Sequence, residues 1–367
     1  MSVIVVAPDS FKGSASAAEV AAALAEGWAS ERPGDRVVLA PMADGGEGTL
    51  DAFEAAVPGA VRHPVRVVGP DDAEVDASWL MLPGGTAVVE LAETSGLGRM
   101  PLLEPFAAHT MGFGQAIADS LHAGAGSLLL AIGGSASTDG GAGALTALGA
   151  RFVDAAGRDI PRGNRGLASL ARADLSGLAA LPAGGARILS DVTSPLLGPL
   201  GAAAVFGPQK GAGEGDVPVL EAGLRRLAET LRAAGAATDP DEPGAGAAGG
   251  TGFGLLVWGA RMAPGAAAVG ETLGLPSTIA AADAVITGEG RFDTQSASGK
   301  VPTYVAGLAR DAGARVLLAA GSIQAPTAGF ADAVALADLA GSSAAAIADP
   351  VRWARVAGAA LASRFRP

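Results

Sequence analysis

Lysine is scarce in this chain, and its positions give the first chemical signal. Three lysines stand among 25 lysines and arginines, and each lies in or beside a polar, glycine-containing turn: Lys12 in DSFKGS, Lys210 in FGPQKGA and Lys300 in QSASGKV. A compact ammonium on a flexible stem approaches phosphate oxygens as a point charge, which the planar arginine fork does not do. The acids show a matching bias. Asp9, Asp44, Asp191 and Glu289 each follow a predicted strand, two of them in glycine-rich turns. In open parallel sheets, ligands bind outside the carboxyl ends of the strands. Carboxylates converging there would repel one another, so cations must share the space, and Mg²⁺ with the lysines would supply them. Taken singly, each lysine also fits a plain surface position, and each acid a helix cap or a turn.

A second signal is the loop GGSASTDGGAG (Gly133–Gly143), which joins a predicted strand to a helix beginning near Ala142. It offers Ser135, Ser137, Thr138 and several backbone N–H groups. Such a turn lets the backbone approach an anion, and the helix N-terminus adds about half a positive charge. Packing alone can also demand these glycines. Two familiar motifs fail. TQSASGKV ends in Gly-Lys, yet Thr294 stands where a Walker loop needs glycine and Val301 where Ser or Thr should hold Mg²⁺. GEGRFD begins like a dinucleotide fingerprint, but Asp293 replaces its last glycine. His63, His109 and His122 share no metal spacing, and no G-x-S-x-G elbow occurs, so a zinc site and a serine hydrolase are not supported.

The elements that must position these residues repeat one pattern: apolar run, glycine-rich turn, amphipathic helix. Val3–Ala7 is a short β-branched run, read as a buried strand. Ser16 and Glu19 form a capping box that opens a helix over Ala17–Ala29. Arg36–Ala40 is a strand ending in MADGGEG (Met42–Gly48), and Arg62–Glu90 alternates like antiparallel hairpins. Ser127–Ile132, Arg187–Ser190, Ala284–Thr287, Val316–Ala319 and Ala333–Leu336 complete the strands, and Val217–Ala236 is a helix running into DPDEPGAGAAGG, the best loop or hinge candidate. The expectation is an α/β protein: a Rossmann-like parallel-sheet domain formed by both chain ends, residues 1–70 and 283–367, with a second α/β domain, 71–282, inserted between them.

Composition sets the outer limits. In 367 residues, 49% are hydrophobic and 17% charged, enough to bury large cores and too apolar for disorder. Cysteine is absent, which removes disulfides, thiolate metal sites and a cysteine nucleophile and suits the cytoplasm. A formal net charge of −12 and no basic stripe argue against nucleic acid. No stretch is apolar for the roughly 18 residues that a membrane helix needs, and MSVIVVAPDS reads as a strand rather than a signal peptide.

APDSFKGSASAAEV, PMADGGEGT, IGGSASTDGGAGALTALGARF, SDVTSPLLGPLGAAAVFGPQKGA, GAGAAGGTGFGLL and DAVITGEGRFDTQSASGKVP resemble, in order, the signature blocks of bacterial class I glycerate kinases. The resemblance spans nearly the whole chain. It implies a Rossmann-like domain beside a second α/β domain with the active site in the cleft between them, ATP and Mg²⁺ as cosubstrates, and D-glycerate as acceptor. The 2-hydroxyl is the commoner target among bacterial members; the 3-hydroxyl, or another small hydroxy acid, is the alternative. Ser137 and Thr138 stand where the family usually has Thr and Asn, and Ser194 where Asn is common.

Phosphoryl transfer asks mainly for positioning and charge neutralisation. On this reading Gly133, Gly134, Ser135, Ser137, Thr138, Asp139, Gly140 and Lys210 hold the nucleotide phosphates. Lys12 bridges the transferring group and the substrate side, with Asp9 as a further catalytic candidate. Asp44, Glu47 and Asp191 are the candidate Mg²⁺ ligands or general base, Asp191 being the first choice for the base. Ser10, Glu289, Arg291, Ser296 and Lys300 would bind glycerate, although Arg291 and Asp293 could instead pair with each other. A non-catalytic nucleotide sensor using the same loops and a nicotinamide-dependent oxidoreductase are the readings from other classes. The sequence leaves the oligomeric state open.

Overall fold

The structure is a computed structural model that describes residues 1–294, 296 and 300–366. The chain is α/β and divides into two compact units. One comprises Met1–Asp44, Asp51–Pro58 and the chain from Pro264 to the C-terminus; the other comprises Gly45–Leu50 and Gly59–Ala263.

The first unit is built on a five-stranded sheet in the spatial order Asp332–Ala335, Arg315–Ala320, Ala284–Thr287, Val3–Val6, Arg36–Leu39. Every neighbouring pair is parallel, with Ile4 opposite Ala284 and Val37 on its two sides. The three central strands are buried nearly throughout, as a sheet covered on both faces requires, while the edge strand Arg36–Leu39 stays partly exposed. The helix Ala17–Glu31 starts where the capping box demands. Ser16 Oγ accepts the Glu19 N–H at 3.2 Å, and Glu19 Oε2 accepts the Ser16 N–H at 2.9 Å. This helix packs on Pro350–Arg364 through reciprocal glycines. A Cβ on Gly27 would fall 1.9 Å from the Arg355 carbonyl oxygen, and one on Gly358 would fall 2.1 Å from that of Leu24. Val20, Leu24, Trp28, Leu361 and Phe365 fill the space between helices and sheet.

The second unit carries a six-stranded mixed sheet, ordered Arg261–Ala263, Ala186–Leu189, Ser127–Ala131, Thr86–Glu90, Glu74–Met81, Val61–Val68. The first four run parallel, and the last two are antiparallel, matching the hairpin pattern of that stretch. The segment after the helix Val217–Ala233 is a loop, exposed at 241–243 and buried over 244–247. Leu196 N–H donates to the Pro240 carbonyl at 2.8 Å, Ala245 is buried, and Ala247–Gly250 forms a 3₁₀ turn. Among the described residues, no helix is long and apolar enough to cross a membrane.

Candidate active site

In the first unit the chain leaves Val3–Val6 toward Arg36–Leu39 on one side and leaves Ala284–Thr287 toward Arg315–Ala320 on the other. The crevice at the carboxyl ends of these two central strands is therefore the topological switch point, where open α/β sheets bind ligands. The strands stay paired as they enter it. Ala7 donates to the Ile286 carbonyl and Asp9 to that of Gly288, both at 2.8 Å. On the other side Gly288 lets Arg315–Ala320 run close, since a Cβ there would meet the Ala319 carbonyl oxygen at 1.7 Å.

A cavity of about 490 Å³ opens at this point, lined by Asp9, Ser10, Lys12, Glu289, Arg291 and Lys300, with Ser14, Ser322 and Gln324 among its other polar walls. Lys12 Nζ lies 2.9 Å from Asp44 Oδ2. Burial opposes the charge on Lys12, but the carboxylates of Asp44, Asp9 and Glu289 outweigh it and hold the ammonium above its ordinary range. Asp9 is 2% exposed. Burial, reinforced by the Asp44 charge, pushes its carboxyl up to about 8, against the pull of Lys12 and of the Ser10 N–H bonded to Asp9 Oδ1 at 2.7 Å. Glu289 is 5% exposed, and burial raises it too, opposed by a Ser296 hydrogen bond and by Lys300, whose Nζ is 3.6 Å from Oε2. Ser10 Oγ and Glu289 Oε1 are buried without a hydrogen-bond partner among the described residues. Buried polar atoms of this kind call for an explanation, and a polar ligand supplies one.

Arg291 also borders the cavity, and its Nε lies 2.9 Å from Asp293 Oδ2, the pairing that the sequence left open. Ser296 is buried; its Oγ accepts the Asp293 N–H at 2.9 Å, and its side chain also hydrogen-bonds Glu289. Residues 295 and 297–299 of the QSASGK block lie outside the described residues.

In the second unit the Gly133–Gly143 loop follows Ser127–Ala131 and divides by role. Gly133, Gly134 and Ser135 line a cavity of about 110 Å³ together with Lys210, Ser190, Val192, Phe206 and Gln209. The rest of the loop is turned inward. Thr138 Oγ1 donates to the Pro105 carbonyl, Gly140 N–H donates to that of Gly249 at 3.1 Å, and Ser137 Oγ meets Ser135 Oγ at 3.1 Å. Asp139 is fully buried. Its Oδ2 accepts the Thr110 N–H and Oγ1 at 2.9 Å each and the Gly143 N–H at 3.1 Å, while Oδ1 accepts the Gly141 N–H at 3.0 Å.

Lys210 is 2% exposed and donates to the Ser137 carbonyl. Burial pulls its ammonium down to about 7, with Asp139 partly opposing. The glycines of GAGAAGG explain themselves here, because a Cβ on Gly249 would fall 1.9 Å from the Ser137 carbonyl oxygen and 2.7 Å from Lys210 Nζ. Asp191 is half-buried just past Ala186–Leu189, and Glu47 is exposed in the loop before the helix Thr49–Ala56. That loop is anchored by buried Glu90, whose carboxylate accepts the N–H groups of Gly48 and Leu50 at 3.0 Å each.

The structure thus gathers Asp9, Ser10, Lys12, Asp44, Glu289, Arg291 and Lys300 in the first unit, and Gly133, Gly134, Ser135 and Lys210 in the second. Among the described residues no three Asp, Glu or His side chains form a metal cluster. Mg²⁺ is usually held by one or two carboxylates plus substrate phosphates, so the all-oxygen donors Asp44, Glu47 and Asp191 fit it in kind. Thr110, Glu90 and Phe206 escaped the sequence reading, since nothing local links them to the loops they support or border.

The model of the glycerate kinase family matches residues 4–366. The chain is 44% identical over 325 residues to the glycerate 2-kinase of Escherichia coli K12, covering 87% of this chain and 85% of that one. It is 43% identical over 325 residues to the glycerate kinase of Bacillus subtilis 168, with the same coverages. A crystal structure assigned to a glycerate kinase 2 of Salmonella typhimurium LT2 superposes with a TM-score of 0.85 at 38% identity, over 99% of this chain and 97% of that one.

Proposed function

The chain belongs to the glycerate kinase family, and on that premise we propose that it transfers the terminal phosphoryl group of ATP to the 2-hydroxyl of D-glycerate, giving 2-phosphoglycerate. The observation that carries the reading is the first unit's cavity, lined by Ser10 and Glu289, whose buried Oγ and Oε1 have no hydrogen-bond partner among the described residues, together with Lys12, Arg291 and Lys300. A small acid with two hydroxyls complements that set. Its carboxylate pairs with Arg291 and Lys300, and its hydroxyls satisfy Ser10 and Glu289.

Asp9 takes the proton from the 2-hydroxyl. It lies in the acceptor cavity, and a carboxyl raised to about 8 is, in its deprotonated fraction, a stronger base than an ordinary carboxylate. Lys12 stays charged throughout and neutralises the phosphoryl oxygens as the bond to the hydroxyl forms. In the second unit, Gly133, Gly134, Ser135 and Lys210 cradle the nucleotide phosphates, and Ser137, Thr138, Asp139 and Gly140 hold the cradle in shape. Asp191 or Glu47 of the second unit, or Asp44 of the first, would each supply an oxygen donor to a Mg²⁺ held chiefly by the phosphates, where its charge would neutralise theirs. The reaction belongs to the cytoplasm, where ATP is supplied.

The test is ADP release by the purified protein with Mg²⁺ and ATP. Release should depend on D-glycerate, and Lys300→Ala should raise the KM for glycerate while leaving the KM for ATP near the wild-type value. ADP release indifferent to glycerate would refute the reading.

A further inference from the structure

The cavity beside Lys210 is large enough for phosphate and too small for a nucleotide. Its volume of about 110 Å³ falls well below the roughly 300–1,000 Å³ of sites that enclose whole ligands. A nucleotide anchored there by its phosphates must lay its nucleoside over the rim, and the rim is apolar on one side. Phe206 is half-buried and borders the cavity, as does Val192. Next to Phe206, Val205 is 44% exposed. Leu103 is 47% exposed, and a Cβ on Gly211 would lie 3.0 Å from its Cβ, which brings this side chain to the turn that carries Lys210.

That turn is rigid. The helix Ala202–Phe206 ends at Gly207, whose N–H donates to the Ala203 carbonyl at 3.0 Å. The Gly207 carbonyl then accepts the N–H groups of Lys210 at 2.9 Å and Ala212 at 3.1 Å. A Cβ on Gly207 would stand 2.4 Å from the Ala203 carbonyl oxygen, so the turn is packed on the helix that presents Phe206. Phe206, exposed Gln209 and Lys210 therefore line one cavity from a single turn of the chain.

We propose that Phe206 is the nucleobase platform of the phosphate-donor site, with the purine of ATP stacked on its ring and Gln209 hydrogen-bonded to an edge of the base or to the ribose. The proposal rests on the assignment of the nucleotide phosphates to Gly133–Ser135 and Lys210. An aromatic ring beside a cationic phosphate cradle matches the two halves of a nucleotide. Stacking is worth about 1–3 kcal/mol per base, which is roughly a 5- to 150-fold change in affinity.

The experiment compares calorimetric binding of ATP and of inorganic tripolyphosphate to the full-length wild type, Phe206→Ala, Phe206→Trp and Lys210→Met. Phe206→Ala should weaken ATP about 5- to 150-fold and leave tripolyphosphate unchanged, and Phe206→Trp should restore ATP binding. The KM for ATP should rise in parallel, while that for D-glycerate stays constant. Equal losses for ATP and tripolyphosphate in Phe206→Ala would overturn the proposal, since the ring would then only shape the cradle. Unchanged ATP affinity would overturn it as well. The cradle assignment is refuted separately if Lys210→Met leaves tripolyphosphate binding intact.

Discussion

Lys12 and Asp44 form an ion pair of 2.9 Å in which the lysine side chain is 47% exposed and the aspartate 14% exposed. A pair this open contributes at most about 1 kcal/mol to stability, so its position at the mouth of a carboxylate-rich crevice has to be understood through charge. Lys12 also faces Asp9 and Glu289, and the three acids keep it protonated. Lys12→Ala should lose at least about a hundredfold in kcat, the scale of removing one donor to developing charge, and shift the melting temperature by only a few degrees. Steady-state kinetics with a thermal melt checks both, and near-normal turnover would remove Lys12 from the mechanism.

Asp9 gives a pH signature. Its folded-state carboxyl titrates near 8 against an ordinary value of 3.8, chiefly through burial. Between these values the folded chain holds a proton that the unfolded chain has lost, so this group's contribution to stability is present below about 4 and falls as pH rises toward 8. Asp9→Asn should flatten that decline, and the wild type should lose more melting temperature than the variant between pH 5 and pH 8. The same variant should lose about 10²–10⁴ in kcat if Asp9 is the base. Asp191→Asn should instead weaken ATP binding and its Mg²⁺ dependence; a variant that binds Mg·ATP normally but cannot transfer would return the base to Asp191.

Lys210 titrates in the opposite sense. Burial lowers its folded pKa from 10.5 to about 7, so between these values the unfolded chain holds the extra proton and stability rises with pH. An arriving phosphate reverses the penalty by pairing with the ammonium. ATP binding near pH 8 should therefore take up a proton at Lys210. Calorimetry in buffers of different ionisation enthalpy reads this directly, and Lys210→Met should abolish the uptake while melting higher than the wild type at pH 6.

Asp139 reaches function through Thr110. Replacing it with Ala leaves Thr110, Gly141 and Gly143 donors buried and unpaired, at a cost of about 1–3 kcal/mol for each orphaned group before relaxation. Asp139→Ala should lower stability by at least about 2 kcal/mol and raise the KM for ATP more than that for glycerate. Equal changes in the two constants would make Asp139 a general stability residue.

Local rules wrote part of this into the sequence. The Ser16–Glu19 capping box gives the helix start because its two hydrogen bonds span three residues, and β-branched runs such as Val3–Val6 mark strands by burial alone. The acids after strands, Asp9 and Glu289, were legible because parallel topology sends strand ends to one edge. What stayed hidden depends on distant partners. Asp139 looks like a phosphate contact until Thr110, 29 positions away, and the N–H groups of Gly141 and Gly143 occupy its oxygens. DPDEPGAGAAGG looks like a hinge until its glycines prove to be the room that Ser137 and Lys210 require. Phe206 is one apolar residue in an apolar stretch, and only the turn to Lys210 brings it to a cavity.

The most direct test of the central claim is a proton-coupled phosphorus NMR time course of the purified protein with ATP, Mg²⁺ and D-glycerate. Growth of a phosphomonoester doublet, split by the single proton on C2, together with ADP is the expected result. A triplet would place the phosphate on the 3-hydroxyl and contradict the regiochemistry, and intact ATP would contradict the kinase assignment itself.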